Sequence, residues 1–117
     1  MKKIIYYQKE NGKIPVKDFL DETLFNNKKL GAKIFSKLEM LSFWILTNKD
    51  TKYIQDKIYE LRIRDGNNIS RIFYFTFLWE NIIVLDWIIK KDNKLKNRDI
   101  ERSVWYKKDF IKRFGNI

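Results

Sequence analysis

The stretch KIYELRIRDGNNISRIFYFTFLWENIIVLDWII, residues 57–89, decides the fold. Lys57 to Arg64 alternate: Tyr59, Leu61 and Ile63 fall on one side and Ile58, Glu60, Arg62 and Arg64 on the other, which is the period of a β-strand. Asp65-Gly66-Asn67-Asn68 reads as a hairpin turn. Ile69 to Phe77 and Ile82 to Ile89 are apolar almost throughout, as central strands covered on both faces are, and Trp79-Glu80-Asn81 turns between them.

Working outward, Lys3 to Gln8 is rich in β-formers and reads as a strand, followed by a loop at Glu10-Asn11-Gly12-Lys13. Pro15 suits the first position of a helix in which Val16, Phe19, Leu20 and Leu24 recur at helical spacing. A break at Asn26-Asn27 precedes a second helix carrying Leu30, Ile34, Phe35, Leu38, Leu41 and Ile45 as an apolar stripe. Asn48 to Asp56 is polar and reads as a loop. After the exit loop Lys90 to Lys96, Asn97 is placed to cap a last helix whose buried face is expected to be Ile100, Val104, Ile111 and Phe114, with Trp105 also assigned to the core. The order predicts an α+β fold: a small antiparallel-rich sheet with an N-terminal helical hairpin on one face and a C-terminal helix. Residues 1–117 read as a single domain without repeats or linkers.

The chain has 117 residues, enough to bury a core without covalent staples. It contains neither cysteine nor histidine. Disulfides and thiolate metal sites are therefore excluded, and the side chain that ordinarily titrates near neutrality is missing. Any chemistry must use carboxylates, lysines, arginines, tyrosines or hydroxyls. Met1-Lys2-Lys3-Ile4-Ile5 opens like a signal peptide, but Gln8, Lys9 and Glu10 end the apolar run. Ile82 to Ile89 is too short to cross a bilayer and carries Asp86. These features predict a soluble, cytoplasmic protein with no membrane partner.

Net charge is +10, which points to a polyanionic partner. Lysine follows the Lys-, Asn- and Ile-rich composition, so arginine is the more telling cation. Of six arginines, three (Arg62, Arg64 and Arg71) fall within ten residues. Glu60, Arg62 and Arg64 share one strand face, and Arg71 lies on the partner strand. A charge inside a central apolar strand, as Arg71 is, needs a partner or a purpose. Lys90, Lys91, Lys94 and Lys96 gather where the last strand exits, a position from which a scaffold hands residues to a site. Among the aromatics, Tyr74 and Tyr106 are candidates to stack a base or donate to a phosphate. Asp18, Asp21 and Glu22 are better explained by the dipole of the first helix than by a magnesium site.

Tyr59-Glu60-Leu61-Arg62, then Arg71-Ile72-Phe73-Tyr74, then Lys90-Lys91 with Lys94 and a final helix, resembles the HigB-like, phage-derived branch of the RelE toxin superfamily. Tyr6-Tyr7 and the helical hairpin after Pro15 match as well, so the resemblance spans nearly the whole chain. It implies a RelE-like fold and the toxin of a type II toxin–antitoxin pair. Such a toxin is an endoribonuclease (mRNA interferase) that cuts messenger RNA on the translating ribosome and is neutralised by a helix-turn-helix antitoxin. Two departures stand out. Asp86-Trp87 stands where relatives often have a histidine before the aromatic, and Lys94-Leu95-Lys96 where they usually run Lys-Thr-Pro. They leave an alternative, an inactive RNA- or antitoxin-binding module on the same scaffold.

Metal-free cleavage, in which a ribose 2′-hydroxyl attacks the neighbouring phosphate, needs a proton acceptor and stabilisation of the charged phosphorane. The expected catalytic set is Glu60, Arg62, Arg71, Lys90 and Lys91, with no metal or cofactor. Arg62 and Arg71 would hold the phosphorane, and Glu60 or a lysine made less basic by its cationic neighbours would take the proton. Arg64, Tyr74, Lys94, Lys96 and Tyr106 are expected to bind RNA.

Overall fold

The computed structural model describes residues 1–46, 49–90 and 96–115, with Lys90 described as backbone alone. Along the chain run β1 (Lys3–Tyr6), α1 (Pro15–Asn26), α2 (Lys28–Ser42), β2 (Thr51–Gln55), β3 (Ile58–Asp65), β4 (Asn68–Phe77), β5 (Asn81–Lys90) and α3 (Asn97–Phe114). The sheet order is β1-β5-β4-β3-β2. Every pairing is antiparallel except β1 with β5. The expected α+β architecture is present, with one strand more than the sequence suggested.

That extra strand, β2, falls in the stretch whose polarity predicts a loop, and two features hide it. It is an edge strand with mostly exposed residues, so no buried face marks it. Its hairpin to β3 turns on Asp56 and Lys57, both in the left-handed region (φ 51° and 61°), without the glycine that usually signals such a turn. The helical hairpin follows its sequence more closely, although Phe35 is exposed and Ile45, also exposed, falls beyond the end of α2. Pro15 begins α1, and Asn27 serves both helices. The Asn27 N–H donates to the Thr23 carbonyl at 2.7 Å, closing α1, while its Oδ1 accepts from the Leu30 N–H at 3.1 Å, opening α2. Gly31 lets the two helices approach: a Cβ there would lie 2.5 Å from the Leu24 side chain and 3.0 Å from its Cα.

The sheet carries a core on each face. On one side Val16, Phe19, Leu20, Ile34, Leu38 and Leu41 of the hairpin pack on Leu61, Ile63, Ile72, Ile82 and Val84. On the other, Tyr106 and Phe110 of α3 pack on Ile58, Phe73, Phe75, Ile83, Leu85 and Ile88. The phase of α3 differs from the sequence reading. Its buried residues are Asp99, Ser103, Tyr106 and Phe110, whereas Trp105, Ile111 and Phe114 are exposed. Asn97 is the first helical residue and Lys96 takes the cap position without a side-chain hydrogen bond, so the expected Asn97 cap is absent. The amino-terminal half of α3 thus turns polar groups toward the sheet. Val104 does pack partly buried on this core and Ile100 is half-buried, so a periodicity argument that equates inward with apolar misplaces Trp105, Ile111 and Phe114.

The far half of α3 is tied to the end of β1. The Tyr7 hydroxyl donates to Asp109 Oδ2 at 2.5 Å, and Arg113 Nη2 donates to the same oxygen at 2.7 Å and to the Gln8 carbonyl. Tyr7 also stacks on Tyr106. The Tyr7 bond and the Arg113 guanidinium hold the Asp109 carboxyl below its ordinary range. A depressed folded-state carboxyl contributes stability above its unfolded pKa of about 3.9, and loses it as pH falls through the folded value. Tyr7→Phe should therefore cost about 2 kcal/mol at neutral pH. In denaturant melts across pH, its gap from wild type should close on acidification below about pH 4.

Candidate functional site

On β3 and β4 the register sets Arg62 directly opposite Arg71. Like charges facing each other across a strand pair are destabilising unless an anion intervenes. Glu60 supplies it. Arg62 Nε donates to Glu60 Oε1 at 2.5 Å and Arg71 Nη1 donates to Glu60 Oε2 at 3.2 Å. One carboxylate uses both oxygens to hold both guanidinium groups. Glu60 is 0% and Arg71 1% exposed, while the Arg62 side chain retains 18%. The three residues picked from strand alternation therefore meet on the α3 face, and only Arg62 reaches the surface.

A second charged cluster adjoins them. Simple alternation along β5 would put Asp86 on the hairpin side with Ile82 and Val84. The β4–β5 register shifts between Phe73 and Tyr74, so Phe73 faces Asp86 and Tyr74 faces Val84, with Leu85 as the extra residue. This bulge turns Asp86 toward α3. There Arg102 Nε donates to Asp86 Oδ2, and Arg102 Nη2 lies 3.5 Å from Asp99 Oδ1. Burial raises the Asp86 carboxyl above its ordinary range, although the Arg102 bond and the Trp87 N–H pull against that. Burial works against the Arg102 charge, but Asp86 and Asp99 more than offset it and raise its pKa.

The other expected residues divide. Arg64 is exposed on the same strand face as Arg62. Lys90 ends β5 opposite Ile69, and Lys96 is exposed just before α3. Lys91 and Lys94 lie outside the described residues. Tyr74 does not join the cluster: it is buried on the opposite, hairpin face and stacks on Tyr59 with ring centres 5.8 Å apart. Tyr106 is buried against Tyr7 at 4.7 Å, its ring bordering the groove between β5 and α3. Asp86, Asp99 and Arg102 lie outside the set that the sequence suggests. The principle that singled out Arg71, a charge inside an apolar strand, applies equally to Asp86 and would have flagged it. Among the described residues no three carboxylates gather as a metal site requires, and no helix is long and apolar enough to cross a membrane.

Residues 18–104 match the family model described as Phage derived protein Gp49-like (DUF891). The chain belongs to this family. It is a family of RelE/HigB-like toxins. No curated protein matches the sequence. The matched segment of this Gp49-like chain holds the whole charged cluster, Glu60, Arg62, Arg71, Asp86, Asp99 and Arg102, and leaves out the Tyr7–Asp109–Arg113 tether.

Removing Glu60 takes the shared anion from both guanidinium groups, one of them buried, whereas removing Arg62 leaves Glu60 paired with Arg71. Glu60→Ala should therefore cost about 3–5 kcal/mol, and Arg62→Ala at most about 2 kcal/mol. Urea midpoints at unchanged m-value will measure both.

Proposed function

We propose that this Gp49-like chain is the toxin of a toxin–antitoxin pair and cleaves messenger RNA on the translating ribosome, without a metal, through the ribose 2′-hydroxyl. The observation that carries this reading is Arg62, a surface-reaching guanidinium held from below by the fully buried Glu60–Arg71 pair. Such a group is oriented before substrate arrives, so its charge is delivered to a phosphorane without reorganisation.

In this mechanism the 2′-oxygen bonds to phosphorus and the bond to the 5′-oxygen breaks. The departing 5′-oxygen takes a proton from solvent, and the products are a cyclic phosphate and a 5′-hydroxyl end. Arg62 takes a non-bridging phosphate oxygen. Glu60 and Arg71 act through Arg62 and are positioning residues, because neither presents its head group to solvent. With Glu60 occupied by two arginines and histidine absent from the chain, the proton acceptor falls to a lysine at the exit of β5, with Lys90 or Lys91 as the candidates. Alignment of the RNA by the ribosome supplies much of the acceleration that a weak acid–base pair lacks. The partner that restrains the toxin is a helix-turn-helix antitoxin, and the cytoplasm is the site of action.

The burial of Glu60 and Arg71 favours a second reading, an inactive RNA- or antitoxin-binding module on this scaffold. Expression separates the two. The toxin reading predicts growth arrest relieved by a co-expressed neighbouring helix-turn-helix protein, and new 5′-hydroxyl ends on messenger RNA in a translating extract. Arg62→Ala should lower the cleavage rate about 100- to 1,000-fold. Harmless expression of folded wild type, or full cleavage by Arg62→Ala, would overturn it.

A further inference from the structure

The Asp86–Arg102 junction lies beside the Arg62 centre but is not used by the mechanism above. Its geometry is costly to arrange. A β-bulge turns a carboxylate that is 4% exposed toward α3, and α3 buries Asp99 to 5% in its first turn. Both carboxylates converge on one arginine whose side chain keeps 41% of its surface. A guanidinium has five N–H donors. Here the Nε hydrogen goes to Asp86 and the Nη2 end faces Asp99, while Nη1 meets no partner among the described residues. Arg102 is thus braced on its protein side and open on the other.

What it opens onto is a groove of about 490 Å³ between the end of β5 and α3, lined by Ile88, Arg98, Arg102 and Tyr106 among others. Ile88 is the register partner of Arg71, which is in turn the partner of Arg62. The groove therefore lies two strand spacings, roughly 10 Å, from Arg62 on the same face. Along α3, Arg98, Arg102 and Trp105 stand at i, i+4 and i+7, one helix face. Trp105 is 60% exposed and, among the described residues, makes an edge contact with the Tyr106 ring. A large flat ring left in water beside an oriented guanidinium is the pairing that single-stranded nucleic acid uses, phosphate on the cation and base on the ring.

Resting on the RNA reading above, we propose that Arg102 and Trp105 form a flanking-nucleotide subsite. Arg102 contacts a phosphate next to the one held at Arg62, and Trp105 stacks on its base. Asp86 and Asp99 are positioning residues for this subsite. A purely structural ion pair tying α3 to the sheet would require the same Asp86–Arg102 bond but would give Arg102 no share in the salt dependence of binding and Trp105 no role at all.

The test uses the full chain and a single-stranded oligonucleotide with 2′-O-methyl riboses, which binds but cannot be cleaved, titrated by anisotropy at several salt concentrations from low ionic strength upward. Arg102→Gln should reduce the slope of log affinity against log salt by about 0.7, one phosphate contact on a single strand. Lys28→Gln, a charge loss on the hairpin side, should leave the slope unchanged. Trp105→Ala should weaken binding about 5- to 150-fold, and Trp105→Phe should restore much of it. Trp105 is exposed, so its variants keep the test valid if Arg102→Gln folds poorly. If wild type binds and the Arg102 and Trp105 variants behave like Lys28→Gln, the subsite is wrong and the RNA reading stands. If folded wild type binds no oligonucleotide at low salt, the RNA reading fails and takes the subsite with it.

Discussion

The rest of the site depends on one carboxylate. Glu60 is sealed beneath the surface and shared by Arg62 and Arg71. A buried charge is tolerable only with its partner in place, since removing either member leaves the other desolvated and uncompensated. This requirement fixes the β3–β4 register, because a slip of one residue would turn one strand's charges to the other face and part Glu60 from Arg71. It also explains how two arginines can stand directly opposite each other in a central strand pair. The cost of burying the pair leaves Arg62 with a set orientation and an accessible edge.

The neighbouring cluster repeats the arrangement with different elements. Two buried carboxylates, Asp86 and Asp99, brace one partly exposed arginine, Arg102. In both clusters the protein spends buried acid to aim a surface cation. Formal charges within the six residues cancel, three acidic against three basic. The +10 of the whole chain is thus carried outside this cluster, mostly by lysines.

Much of this was legible in the sequence, and the failures have identifiable causes. Alternation from Lys57 to Arg64 and the turn after it were enough to bring Glu60, Arg62 and Arg71 together, because period and hairpin register are local properties. Asp86 was hidden because a bulge at Leu85 breaks the period, and no residue type announces it. β2 was hidden because an edge strand with few buried residues, turning on Asp56 and Lys57, lacks both usual signals. The face of α3 was misread because its amino-terminal half packs polar groups against a charged site, so hydrophobic period no longer marks the inside. Tyr74 was drawn toward the site by its chemistry, yet the register that seats Arg71 on one face sends Tyr74, three residues on, to the other.

The central claim is that Glu60 acts through Arg62 and does not itself take the proton. A double-mutant cycle on cleavage in a translating extract, corrected for folded fraction, tests it most directly. If Glu60 only positions Arg62, then Glu60→Gln lowers the rate in wild type but costs nothing further once Arg62→Ala is present. If the two losses multiply as independent effects, Glu60 has its own part in the chemistry and the account is contradicted.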